Sequence, residues 1–168
     1  MKPIVRTFIA VEISPANRAA TEKLIERLQA ASADVKWFEP ENLPLTLTFL
    51  GEVPTQEIPR VCKAVQRGAA RAESFALEIV GAGAFPRVQR PRTLWLGTRA
   101  GTEPMIALHG QIEKALAGLG FREERRRFHP HLTIGRVRGG GAAAAMGRCV
   151  IASRHGRWYT SFLKLELG

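Results

Sequence analysis

Apolar and polar positions along this chain follow two different periods, and the switches between them mark short strands alternating with three helices. Residues 4–12, IVRTFIAVE, have the composition of a strand. In SPANRAATEKLIERLQAAS the apolar stripe is Leu24, Ile25 and Leu28; Ser14 can cap this helix and Pro15 suits its first position. A turn-rich link leads to VKWF and then to ENLPLTLTFLGEV, residues 41–53. There Thr46 and Thr48 point to one face and Leu45, Leu47 and Phe49 to the other.

The next segment, PTQEIPRVCKAVQRGAARA, has Ile58, Val61, Cys62, Val65 and Ala69 at three-and-four spacing, with Thr55 as the expected cap and Pro59 tolerable only in the first turn. Two strands follow, SFALEIV and RTLWLGT, and GAGAFPRVQRPR between them reads as a Gly/Pro/Arg loop. A third helix starts near Thr102 with Pro104 in its opening turn, sends Met105, Leu108, Ile112, Leu116 and Leu119 inward, and stops at Gly120. RFHPHLTIGRVR, a Gly/Ala stretch GGGAAAAMG expected to be flexible, and the alternation WYTSFLKLEL close the chain. PLTLTFLG at 44–51 and HLTIGRVR at 131–138 share the pattern x-Leu-Thr-aliphatic, which suggests a duplicated α+β unit with pseudo-twofold symmetry.

Composition narrows the class. At 168 residues and 45% hydrophobic, the chain can bury a core as one compact domain over residues 1–168, expected to act as a monomer. There is no run of about 18 apolar residues and no signal-peptide pattern, so a soluble cytoplasmic protein without a membrane partner is expected. Cys62 and Cys149 have no metal-type spacing and read as free thiols, Cys62 packing as a small apolar residue. The net charge is +10, and residues 121–168 carry ten Lys and Arg against Glu123, Glu124 and Glu166, a net +7. That favours polyanions, with phosphate-bearing RNA or nucleotides first, although an arginine-rich composition alone can have the same effect.

The candidate chemistry lies in the two related stretches. Period-two geometry puts His131 and Thr133 on one face of their strand, with Leu132 and Ile134 on the other. If the halves are related by a twofold, Thr46 and Thr133 could converge across a shared groove beside His131. Hydroxyls that donate to phosphate oxygens, with an imidazole that titrates near neutrality, suit phosphoryl transfer without a metal. Pro130 pushes His129 towards an extended conformation, so both imidazoles can lean to one side. Arg136 could pair with phosphate, but strict alternation places it opposite His131 unless the strand twists or bulges. Phe85 and Trp37 could stack a base, with core packing an equal alternative. His109 falls on the apolar stripe of the third helix and reads as a half-buried structural histidine. His155 reads as surface, and REERRR at 122–127 as a solvated segment that steers a phosphate ligand.

With these residues in view, PHLTIGR, preceded by GFREERRRF and LAGLGF, resembles the second signature of the 2H phosphoesterase superfamily, whose members carry two His-x-Thr-x motifs. RTFIAVEI, NLPLTLTFLGEV, GAGAFP and PRTLWLG are similar, in order, to its bacterial RNA 2′,3′-cyclic phosphodiesterase branch, also called 2′-5′ RNA ligase; the likeness runs from about residue 6 to residue 138. It implies a bilobal α+β fold, with two antiparallel sheets flanking a central cleft and helices on the outside. It also implies RNA 2′,3′-cyclic phosphate ends or cyclic nucleotides as partners, no cofactor and no metal. In that family the first histidine donates a proton to the leaving oxygen, the second accepts one from the attacking water, and the threonines bind the phosphate. His131 and Thr133 match the second motif and Thr46 the first motif's threonine, with Arg136, His129 and Phe85 as candidate substrate contacts.

Pro44 stands where the first histidine is expected, and it has neither an ionisable group nor a side-chain hydrogen bond. Proline is admissible at the start of a strand, so the fold should survive while turnover suffers. Three readings follow: an impaired phosphodiesterase with 2′-5′ ligation as its reverse reaction, a weakened or inactive relative that binds RNA ends or nucleotides, and a structural α+β protein without a ligand.

Overall fold

The computed structural model describes residues 3–30, 34–43, 45–138, 158–160 and 165–167. In chain order the elements are β1 (Ile4–Val11), α1 (Pro15–Gln29), β2 (Val35–Trp37), β3 (Leu45–Pro54), α2 (Ile58–Ala69), β4 (Leu77–Arg87), β5 (Arg90–Thr98), α3 (Thr102–Ala117), β6 (His131–Val137), β7 (Trp158–Thr160) and β8 (Leu165–Leu167). They form two antiparallel sheets, one in the order β3-β1-β8 and the other β2-β6-β5-β4-β7.

Each sheet buries one face against helices. Leu24, Ile25 and Leu28 of α1 pack on Val35, Ile79, Leu94, Leu96, Leu132 and Ile134 of the five-stranded sheet. Val61 and Val65 of α2, with Met105, Leu108, Ile112 and Leu116 of α3, pack on Ile9, Val11, Leu45 and Leu47 of the three-stranded sheet. Among the described residues the chain passes between these cores at five places: Val11 lies in one and Ile13 in the other, and the same holds for Leu43 and Leu45, Leu77 and Ile79, Leu96 and Met105, and Phe128 and Leu132. Position 44 falls at the second of these crossings, and Pro44 itself lies outside the described residues.

Local chemistry sets the boundaries. The Ser14 hydroxyl accepts from the Asn17 N–H at 3.2 Å, capping α1 as expected. The expected Thr55 cap does not form, because the Thr55 N–H and hydroxyl both donate to the Pro3 carbonyl, at 3.0 and 3.3 Å. Residues Thr55–Glu57 therefore make a single 3-10 turn, and α2 starts at Ile58 with Pro59 in its first turn. Cys62 is half-buried and free on α2.

GAGAFPRVQRPR is not a loop. β4 continues through Phe85 to Arg87, and β5 returns from Arg90, which leaves Val88 and Gln89 as the turn. The glycines that suggest a loop serve close packing instead: a Cβ on Gly83 would meet the Trp95 ring at 2.2 Å. The closing alternation is two strands on different sheets, β7 beside β4 and β8 beside β1. GGGAAAAMG, Cys149 and His155 lie outside the described residues.

Candidate functional site

Antiparallel partners share a face, so register assigns the residues of each helix-free face. In the five-stranded sheet Leu94 and Leu96 are buried under α1, which turns Thr93, Trp95 and Gly97 the other way. Their partners on β6 are Arg136, Thr133 and His131, and the β4 partners of Thr93 and Trp95 are Phe85 and Gly83. Arg136 reaches this face because the register shifts by one residue between Leu94 and Trp95, leaving Ile134 unopposed. Its β2 partner, Lys36, stands on the same face, and the Arg136 guanidinium lies 5.9 Å from the Phe38 ring centroid.

Trp95 is the centre of an aromatic cluster. Its ring centroid is 5.2 Å from Phe85, 5.5 Å from His129 and 6.0 Å from His131, and Phe85 meets His131 edge-on at 4.9 Å. Phe85, His129 and His131 are candidates from the sequence, whereas Trp95 is not. The available signal was the alternation in RTLWLGT, which puts Trp95 opposite two leucines, with glycines at 83 and 97 beside it. The Trp95 Nε1–H is buried and has no acceptor among the described residues. Replacing Gly83 with valine would drive side-chain atoms into the Trp95 ring, so about 1–3 kcal/mol of destabilisation is expected, with a changed near-ultraviolet dichroism of tryptophan. Unaltered stability and dichroism would show that Trp95 does not lie over Gly83.

His131 is held in a defined tautomer. Its Nδ1 lies 2.6 Å from the His129 carbonyl oxygen, which can only accept, so Nδ1 carries the hydrogen and Nε2 keeps its lone pair. Burial holds its pKa below the ordinary 6.5; the His129 carbonyl opposes that shift and the neighbouring His129 ring adds to it. At neutral pH the imidazole is therefore uncharged and able to accept a proton.

The segment preceding β6 is anchored to α3. His109 stacks on Phe128 with ring centroids 4.1 Å apart, and the Glu113 carboxylate, 3.8 Å from His109, accepts the Glu124 N–H at 3.0 Å. Burial lowers the His109 pKa, against the pull of Glu113 and Glu124. Both depressed histidines bind protons more weakly in the folded chain than in the unfolded one. Their contribution to stability is thus complete at neutral pH and is lost as pH falls below about 6.5. Thermal unfolding between pH 7 and pH 5 should show Tm falling, and His109→Gln should flatten that fall. An equal fall in the variant would assign the effect elsewhere.

On the three-stranded sheet, Leu45 is buried under α2 and α3, so Thr46, paired with Ala10, turns to the helix-free face. The simple alternation fails further along: register shifts leave Leu47 and Leu50 unopposed, and Phe49 pairs with Phe8 instead of joining the core. Phe49 is 59% exposed, its ring centroid 5.7 Å from that of Phe8. Strands β3 and β6 approach one another, bringing the strand of Thr46 beside that of His131 and Thr133. Trp37 is not at this site; it packs against the core beneath α1. No helix among the described residues is long and apolar enough to cross a membrane.

Comparison with known proteins identifies the family. Residues 13–149 match the 2′-5′ RNA ligase superfamily. The RNA 2′,3′-cyclic phosphodiesterase of Methanothermobacter thermautotrophicus is 37% identical over 135 residues, 80% of this chain and 72% of the relative. That of Thermotoga maritima is 35% identical over 133 residues, 79% of this chain and 70% of the relative. Among solved structures, E. coli LigT in its apo form superposes with a TM-score of 0.65 at 28% identity, covering 83% of this chain and 75% of LigT. The matched residues include both Leu-Thr stretches and the strands that carry Trp95 and Phe85, and on that match this chain belongs to the 2′-5′ RNA ligase superfamily.

Proposed function

We propose that this chain hydrolyses RNA 2′,3′-cyclic phosphate ends to a phosphomonoester without a metal or cofactor, with 2′-5′ ligation as the reverse reaction. The observation that carries this reading is the state of His131: neutral at pH 7, with Nδ1 bound to the His129 carbonyl and Nε2 free to take a proton from the attacking water. Thr133, two residues along the same face, and Thr46, on the neighbouring strand β3, are the hydroxyls expected to hold the phosphate. Arg136, His129 and Phe85 face the same region as substrate contacts. Relatives named for this activity cover most of the chain and support the assignment.

Pro44 favours a second reading, a chain that binds RNA ends or nucleotides but turns them over slowly, because the expected proton donor to the leaving oxygen is absent. One chain supplies both sheets, so a monomer suffices, and the free Cys62 suits the reducing cytoplasm. Turnover of an oligonucleotide ending in a 2′,3′-cyclic phosphate, with EDTA present, tests the proposal. A phosphomonoester product formed at an unchanged rate in chelator supports it. A requirement for divalent metal would overturn the mechanism, and specific binding without product would support the second reading.

A further inference from the structure

On the sheet that carries His131, the one acidic residue among the described strands β2, β4, β5 and β6 is Glu78, which is buried and paired with Arg99. Residues 79–98, which span nearly all of β4 and β5, contain Arg87, Arg90 and Arg92 and no acidic residue, and β6 and β2 add Arg136 and Lys36, again with none. The exposed residues of α1 mix signs, with Glu22, Lys23, Glu26 and Arg27, and the segment before β6 holds Glu123 and Glu124 among its arginines, whereas α2 exposes Arg60, Lys63 and Arg67.

The positive residues also lie in sequence along the strands. Moving away from the His131–Gly97 pair, the helix-free face presents Thr133, Trp95 and Gly83, then Arg136, Thr93, Phe85 and Lys36, and then the Arg87–Arg90 pair at the hairpin end. Phe85 is 36% exposed and Val88, in the turn, 46%. At about 3.3 Å per residue, the Arg87–Arg90 pair stands roughly 20 Å along the strands from the His131–Gly97 pair, beyond the span of a single nucleotide bound at His131.

We infer that the β4–β5 hairpin is a track for the RNA strand upstream of the reacting end, so that the preferred ligand is a single-stranded oligonucleotide, not a cyclic mononucleotide. The inference rests on the proposed site at His131. Phe85 stacks the base next to the reacting one, and Arg87 and Arg90 meet the phosphates beyond it. Stacking on an exposed ring combined with backbone-directed cations tolerates any sequence.

The test is equilibrium binding, which does not depend on turnover. Fluorescence anisotropy would compare a single-stranded hexanucleotide ending in a 3′-phosphate with a labelled 3′-mononucleotide, for the native chain, Arg87→Ala/Arg90→Ala and His131→Ala. The double variant should bind the hexanucleotide about tenfold more weakly. Its salt slope should fall by about 1.4, two single-strand phosphate contacts, while mononucleotide binding stays unchanged. Equal weakening of both ligands, or of neither, would overturn the track. So would a native chain that binds the hexanucleotide no more tightly than the mononucleotide, although the site at His131 would then stand. Binding of neither ligand, or binding insensitive to His131→Ala, would overturn the site and the track together.

Discussion

Pro44→His is expected to raise turnover of a 2′,3′-cyclic-phosphate-terminated oligonucleotide by roughly 10² to 10⁴, the usual contribution of one positioned proton-transfer group. Much of the placement is already built. Leu43 is fixed in the core beneath α1 and Leu45 in the core beneath α2 and α3, so the backbone on both sides of position 44 is held at a crossing between lobes. Thr46 lies two residues further along, paired with Ala10 on the helix-free face. By the period-two alternation of the sequence, a histidine at 44 is expected on the side of Thr46, where it would protonate the leaving oxygen while His131 accepts from water. The gain should appear in kcat, with KM changed little, because proton transfer to the leaving group is made only in the transition state. No gain would show that the site has been remodelled beyond that one residue, and the binding-only reading would take precedence.

His131→Ala should produce the opposite result, a loss of roughly 10² to 10⁴ in kcat when measured in the Pro44→His background. Alanine removes the Nε2 lone pair, and it also leaves the His129 carbonyl without its donor. His131→Gln distinguishes the two effects: an amide N–H can restore the bond to that carbonyl but cannot serve as a base at neutral pH. Both variants should be equally slow if proton acceptance is the role. Recovery of activity in the glutamine variant would make His131 a structural residue. In the native chain, which has Pro44 and so no histidine acid, the rate should be flat above about pH 6.5 and decline only at lower pH, because burial keeps the His131 pKa below its ordinary value.

Much of this arrangement was legible in the sequence. The stripe of Leu24, Ile25 and Leu28 and the cap at Ser14 gave α1, and the alternation around His131 gave its face, because period and local capping depend on neighbours in sequence. What was not legible depends on neighbours in space. Arg136 shares a face with His131 only through a register shift against β5, and Phe49 leaves the core only through shifts against β1. Phe85 looked like a loop residue because glycine and proline surround it. Yet Gly83 is small to admit the Trp95 ring from the paired strand, and the hairpin continues past it. Thr55 had the chemistry of a helix cap, but its donors are taken by Pro3, 52 positions away. Trp95 sat inside the PRTLWLG block without a chemistry of its own to single it out, and the rings around it are what place it at the middle of the site.

In the proposed mechanism Thr46, Thr133 and His131, contributed by two sheets, surround one phosphorus atom. A crystal structure of this chain with a bound 3′-nucleotide tests it most directly. The account predicts one phosphate with oxygens about 2.5–3.0 Å from both threonine hydroxyls and within hydrogen-bond reach of His131 Nε2. A phosphate seated elsewhere, or the two hydroxyls facing separate surfaces, would contradict it.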